Sequence, residues 1–169
     1  SYRMPRNGSN RATARVWQAA SLPYALDLDG VVWLAHQPIP GAAEAVARLR
    51  REGDGVVFVT NNSSQPVREV EAKLEAQGIP AEGDVITSAM AAAALVEPGQ
   101  RMLVCAGPGV VEALEQRGAV AVRDADAEAV MVGSHIDFDY ERLRIAARAV
   151  RRGARLLATN ADSSYPTPD

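Results

Sequence analysis

Short apolar runs alternate along this chain with amphipathic stretches that end at glycine, and few folds accommodate that alternation. Tyr24-Ala25-Leu26-Asp27-Leu28 reads as a strand, and a helical stretch from Gly41 follows, with Val46 and Leu49 on one face and Gly53 closing it. Val56-Val57-Phe58-Val59 has no polar position, the pattern of a strand buried on both faces of a parallel sheet. Ser64 is expected to cap a helix carrying Val67, Val70 and Leu74, which Gly78 ends. Ser88 is expected to cap an alanine-rich helix that stops near Glu97-Pro98-Gly99. The cycle continues through Met102–Cys105, a helix with Val111 and Leu114, Gly118, Val120–Val122, Ala129–Val132, a helix over 139–152, Gly153, and Leu156–Ala158. Strands and helices in strict alternation predict an α/β fold with largely parallel sheets.

With 169 residues the chain has room for one compact domain or two small, mutually dependent ones. The composition, 47% hydrophobic and 23% charged, is that of an ordinary globular protein. No apolar run reaches the roughly 18 residues that cross a bilayer, so no membrane partner is expected. The single cysteine, Cys105, excludes an internal disulfide, and with only His36 and His135 beside it a four-ligand zinc site is excluded too. A reducing, cytoplasmic setting is the expectation. Residues 1–23 carry Arg3, Arg6, Arg11 and Arg15 without an acid, so the net −3 divides into +4 there and −7 on the remainder. An acidic body argues against nucleic acid as a partner. Residues 1–20 are read as a flexible tail outside the fold.

Two groups of polar residues fall at the carboxyl ends of predicted strands, where open α/β sheets bind ligands. Asp27 and Asp29 close the first strand ahead of Gly30, and at i, i+2 in an extended segment both side chains address one point. Carboxylates held together repel, and a divalent cation relieves the repulsion. Thr60-Asn61-Asn62-Ser63-Ser64 ends the second strand, and a right-handed β-α-β crossover brings both groups to one sheet edge. There Thr60 and neighbouring N–H groups can cradle a phosphate.

The run Asp27-Leu28-Asp29-Gly30-Val31-Val32-Trp33, with Thr60-Asn61-Asn62-Ser63-Ser64 and Thr87-Ser88-Ala89, resembles the haloacid dehalogenase-like phosphatases. More narrowly it is similar to their class IIA branch, whose cap loop is matched by Gly153-Ala154 to Thr159-Asn160-Ala161-Asp162 with Pro166 and Pro168. The resemblance implies a Rossmann-like core over residues 21–83 and an inserted α/β cap over 84–169, both incomplete. It implies hydrolysis of small phosphomonoesters with Mg2+, Asp27 acting as nucleophile and Asp29 as general acid and base. The metal would take the Asp27 carboxylate and the Asp29 carbonyl, while Thr60 and the Asn61 N–H would bind phosphate. Trp33 and His36 would lie in a flap, and Asn160 and Asp162 in the cap loop that selects substrate. Dimerisation through the cap is a further implication.

That family also uses a lysine and an acidic motif beyond the cap. Neither is found here, since Lys73 is the only lysine and sits on the helix after Thr60. The chain is therefore expected to be part of a longer one and, alone, to lack roughly four decades of rate. Gly133-Ser134-His135 stands where the family usually has an aspartate in the third place, and a locally bonded histidine is the plainer reading of His135. Two other readings stay open. One is a noncatalytic interaction module. The other is a dinucleotide-binding domain built on Gly107-Pro108-Gly109, although Glu112 occupies the place of the third glycine.

Overall fold

The computed structural model describes residues 24–34 and 37–162, and the tail over 1–20, His36, Pro166 and Pro168 lie outside the described residues. The first half runs β1 (Tyr24–Asp27), β2 (Trp33–Leu34), β3 (Gln37–Pro38), α1 (Ala42–Arg51), β4 (Val56–Thr60), α2 (Val67–Ala76), β5 (Val85–Thr87) and α3 (Ser88–Ala93). The second runs β6 (Arg101–Cys105), α4 (Pro108–Arg117), β7 (Val120–Val122), β8 (Ala129–Val132), α5 (Tyr140–Arg151) and β9 (Arg155–Ala158). As expected, the fold is α/β. One sheet has the order β1-β4-β5 and another the order β7-β6-β8-β9, with every pair parallel. β2 and β3 form a separate antiparallel hairpin.

In the first sheet Leu26, Phe58 and Val85 stand side by side in register. Val46 of α1 and Val70 and Leu74 of α2 pack on that same face, as two successive right-handed crossovers in one direction require. Arg50 fastens α1 to the chain entering β5: its guanidinium donates to the Pro80 carbonyl (2.6 Å) and Asp84 Oδ2 (2.8 Å) and lies 5.8 Å from the Phe58 ring centroid. The 83/84 boundary anticipated between the two units falls just before β5, whose Thr87 pairs with Thr60 in the first sheet.

The second sheet is covered on both faces, which explains its unbroken apolar strands. Along β6, Met102 and Val104 join Ala89, Val96, Val110 and Leu114 from α3, its following turn and α4, whereas Leu103 and Cys105 join Ala146 and Ala149 of α5. Two helix caps differ from the sequence expectation. Thr87, not Ser88, caps α3, its Oγ1 accepting the Met90 N–H (3.3 Å). α2 begins after Pro66 rather than at Ser64, and the Val67 N–H is satisfied by Glu112 Oε2 of α4 (2.9 Å). A donor supplied from a distant helix leaves no local sequence signal. Among the described residues no helix is long and apolar enough to cross a membrane.

The two sheets meet where the loop after β4 presses on the start of α4. Gly109 donates its N–H to the Ser64 carbonyl (3.1 Å), and a Cβ at Gly109 would stand 2.2 Å from the Gln65 carbonyl oxygen. Because the obstruction is backbone on both sides, Gly109→Ala is expected to lower stability by about 1–3 kcal/mol, the usual scale of overpacking. Denaturant titration of the two proteins measures this, and an unchanged midpoint would show that the contact is loose.

Candidate active site

β1 stops at Asp27, whose Oδ1 accepts the N–H of Leu28 (2.8 Å). The Leu28 carbonyl then takes the N–H groups of Val32 (2.9 Å) and Trp33 (3.1 Å), so the chain turns back at once. Gly30 makes the turn at φ 82°, where an L side chain is strained. The same turn brings the Trp33 indole over Asp29, Nε1 donating to Oδ1 at 3.0 Å.

The ladder of β1 thus ends at Asp27, and Asp29 falls in the turn that follows, where it bridges to Trp33. Asp27 is exposed at the strand end. Asp29 is half-buried and lines a cavity with Trp33, Thr60, Asn62, Gln65 and Lys73, among whose lining residues Asp27 does not appear. The edge itself is as expected, because Asp27 pairs in register with Val59, the residue before Thr60.

Thr60 is 7% exposed, and its Oγ1 accepts the N–H of Asn62 (3.1 Å). A hydroxyl that accepts with one lone pair keeps its proton for another partner. Asn62 Oδ1 in turn accepts from both Ser64 N (3.0 Å) and Ser64 Oγ (2.7 Å), and Ser64 lies two residues before Pro66, the residue at the N-cap of α2. Asn61 is exposed and is held from three sides. Its carbonyl accepts from Ser88 Oγ (2.7 Å) and Asn160 Nδ2 (3.0 Å), and its side-chain amide donates to Asp162.

Lys73 is the residue that reasoning from sequence placed outside the site. Side chains on a helix lean toward its N-terminus, and Lys73 accordingly reaches back along α2 to donate to Gln65 Oε1 (2.7 Å). Among the described residues it forms no ion pair, and it lines both the Asp29–Thr60 cavity and a groove that continues past Trp33 and Pro38 to Gln77. The signal was its position two helical turns after a strand-end loop, which aims a long side chain back at the sheet edge.

The carboxyl edge of the second sheet faces the same loop. Ser63, fully buried, shares a hydrogen bond with Thr159 (Oγ···Oγ1, 2.8 Å). Asn160 and Asp162, expected to select substrate, both contact Asn61. The Gly107-Pro108-Gly109 turn is filled by the chain itself: a Cβ at Gly107 would lie 2.8 Å from the Ser64 carbonyl oxygen. The close approach that these glycines permit is to backbone, and no room is left for a pyrophosphate, so the dinucleotide reading is set aside. His135 donates through Nδ1 to the Gly133 carbonyl (3.0 Å) and packs edge-on against Phe138 at 5.4 Å, a locally bonded histidine.

Among the described residues no three His, Cys, Asp or Glu side chains converge on one point. A hard cation that keeps several waters nevertheless asks for only one or two protein carboxylates. The exposed Asp27 carboxylate, with one oxygen engaged by Leu28, fits that demand as part of a shell.

Residues 24–120 match the haloacid dehalogenase-like hydrolase family. An acid sugar phosphatase of Staphylococcus saprophyticus is 37% identical over 147 residues, which cover 85% of this chain and 57% of that protein. The glycerol phosphate phosphatase of Mycobacterium tuberculosis in complex with magnesium superposes with a TM-score of 0.79 at 36% identity, over 85% of this chain and 46% of that one. The p-nitrophenyl phosphatase of Archaeoglobus fulgidus gives 0.80 at 31% identity, over 85% and 57%. The chain thus spans 57% of the length of the acid sugar phosphatase.

Cys105 is buried in β6, and that burial pushes its thiol pKa up, against a smaller opposing effect of Arg142. A raised pKa leaves less thiolate, so the folded chain should resist a thiol reagent at mildly alkaline pH and react promptly only in denaturant. Rapid modification of the native protein would refute the assignment of Cys105 to the core.

Proposed function

The chain belongs to the haloacid dehalogenase-like hydrolases, and on that premise we propose that it carries the strand-edge site of a magnesium-dependent phosphatase for small phosphomonoesters. The observation that supports the proposal most is the pairing of β1 with β4, which ends with Asp27 opposite Val59, the residue before Thr60, while Asp29 and Thr60 line one cavity. In this reading residues 21–83, extended by β5, form the core, and the cap begins just beyond. Phosphatases among the relatives, one of them in complex with magnesium, support the reaction class.

Asp27 is the nucleophile because its carboxylate is exposed at the strand end, where an oxygen can reach phosphorus from solvent. As its bond to phosphorus forms, the ester P–O bond breaks and the departing alkoxide takes a proton from Asp29. Water then attacks the acyl-phosphate, with Asp29 accepting its proton, and phosphate leaves with Asp27 regenerated. The Thr60 hydroxyl and the Asn61 N–H would hold nonbridging oxygens, and Lys73 adds positive charge beside them. Magnesium held by Asp27 and the Asp29 carbonyl would neutralise charge between the carboxylate and the incoming phosphate. The Trp33–Asp29 hydrogen bond keeps the acid from swinging into solvent.

Release of phosphate from p-nitrophenyl phosphate and glycerol phosphate, with magnesium and with chelator, tests the reading. In the complete protein Asp27→Asn should abolish turnover, and Thr60→Val should reduce it by about two to three orders of magnitude, the scale seen when one preorganised donor is lost. Beryllofluoride, which mimics an acyl-phosphate on a carboxylate, should bind with magnesium to the wild type and not to Asp27→Asn, as followed by fluorine NMR. Full activity in Asp27→Asn, or beryllofluoride binding that ignores this substitution, would refute the assignment. Absence of both magnesium-dependent turnover and adduct would favour a noncatalytic module.

A further inference from the structure

The Asn61–Asn62 peptide links the two sheet edges through hydrogen bonds at both of its ends. Its carbonyl oxygen, on Asn61, accepts from Asn160 Nδ2 (3.0 Å) and Ser88 Oγ (2.7 Å). Its N–H, on Asn62, donates to Thr60 Oγ1 (3.1 Å). A carbonyl that accepts two hydrogen bonds polarises its own peptide and strengthens the donor on the other side. Asn160 is itself oriented, its Oδ1 accepting the Asp162 N–H (3.3 Å), while the Asp162 carboxylate takes the Asn61 amide. Every atom in the relay, from the second sheet's edge to the Thr60 hydroxyl, is thus accounted for.

We propose that Asn160 is a positioning residue for Thr60. It fixes the Asn61–Asn62 peptide with its carbonyl turned away from the hydroxyl and its N–H on one Thr60 lone pair, which directs the hydroxyl proton to an anionic ligand. Were the peptide free to rotate, its carbonyl could compete for that proton and present a negative dipole to the anion. Anion binding at Thr60 and seating of the 159–162 loop are therefore coupled, each favouring the other by the same factor. The inference rests on the phosphate-binding role of Thr60 proposed above and extends it to a residue contributed by the second unit.

The test has two arms, both on the full-length protein. In the first, orthophosphate is titrated with magnesium into wild type, Asn160→Ala, Thr60→Ala and the double variant. Each single change is expected to weaken binding about tenfold, as loss of a hydrogen bond to a charged ligand does. The double variant should be no weaker than Thr60→Ala, because Asn160 acts only through that hydroxyl. In the second arm, amide exchange at Asn62 is followed without any anion. Protection there should fall in Asn160→Ala, and also in Ser88→Ala, which removes the carbonyl's other donor and serves if Asn160→Ala does not fold. Losses that multiply in the double variant, or Asn62 exchange unchanged in both variants, overturn the proposal. If the wild type takes no phosphate in a Thr60-dependent way, the phosphatase reading fails, while the exchange arm still decides whether Asn160 positions the peptide.

Discussion

Contact of backbone on backbone between the Ser63–Gln65 segment and the glycines at the edge of the second sheet is the constraint from which the site follows. Gly107 and Gly109 lie where a methyl group would meet the backbone of this segment at 2.8 Å and 2.2 Å, and Gly133 where it would meet the Ser63 hydroxyl at 3.0 Å. Seated that closely, the loop has little freedom, and the residues just before it inherit the constraint. Thr60 is fixed by β4 below and by Asn62 above, and Asn61 by Ser88 and the 159–162 loop. In the proposed reading of Thr60 as a phosphate donor this rigidity matters, because a preorganised dipole stabilises charge without reorganising when the charge appears.

The two carboxylates differ in exposure and in partners. Asp27 stays in the ladder and in solvent, whereas Asp29 is drawn under the turn by the Trp33 indole and the Leu28 carbonyl bonds. One is accessible and the other half-enclosed, which suits a nucleophile and a proton-transfer group respectively. Lys73 gives the half-enclosed side a positive charge without an ion pair to neutralise it among the described residues.

Much of the fold was legible because its signals are local. The apolar run Met102–Cys105 announced a strand buried on both faces, and its alternate residues do enter different cores. The positions of Asp27, Thr60 and Asn61 at one edge followed from crossover handedness alone. What escaped the sequence depends on partners far along the chain. Ser64 and Ser88 have the chemistry of helix caps, but Pro66 and Thr87 stand at the two N-cap positions, and Glu112 serves α2 from another helix. The Gly107-Pro108-Gly109 turn has the look of a ligand cradle, and the ligand turned out to be the protein's own loop. Lys73 stands out of order among the motifs, and its place in the lining of the Asp29–Thr60 cavity follows from side-chain direction on a helix.

The hydrogen bonds that complete the site join residues 96, 99 and 101 positions apart. Such closures cost chain entropy before they return any enthalpy. The two sheet edges are therefore joined by contacts that the sequence around Asn61 cannot supply by itself.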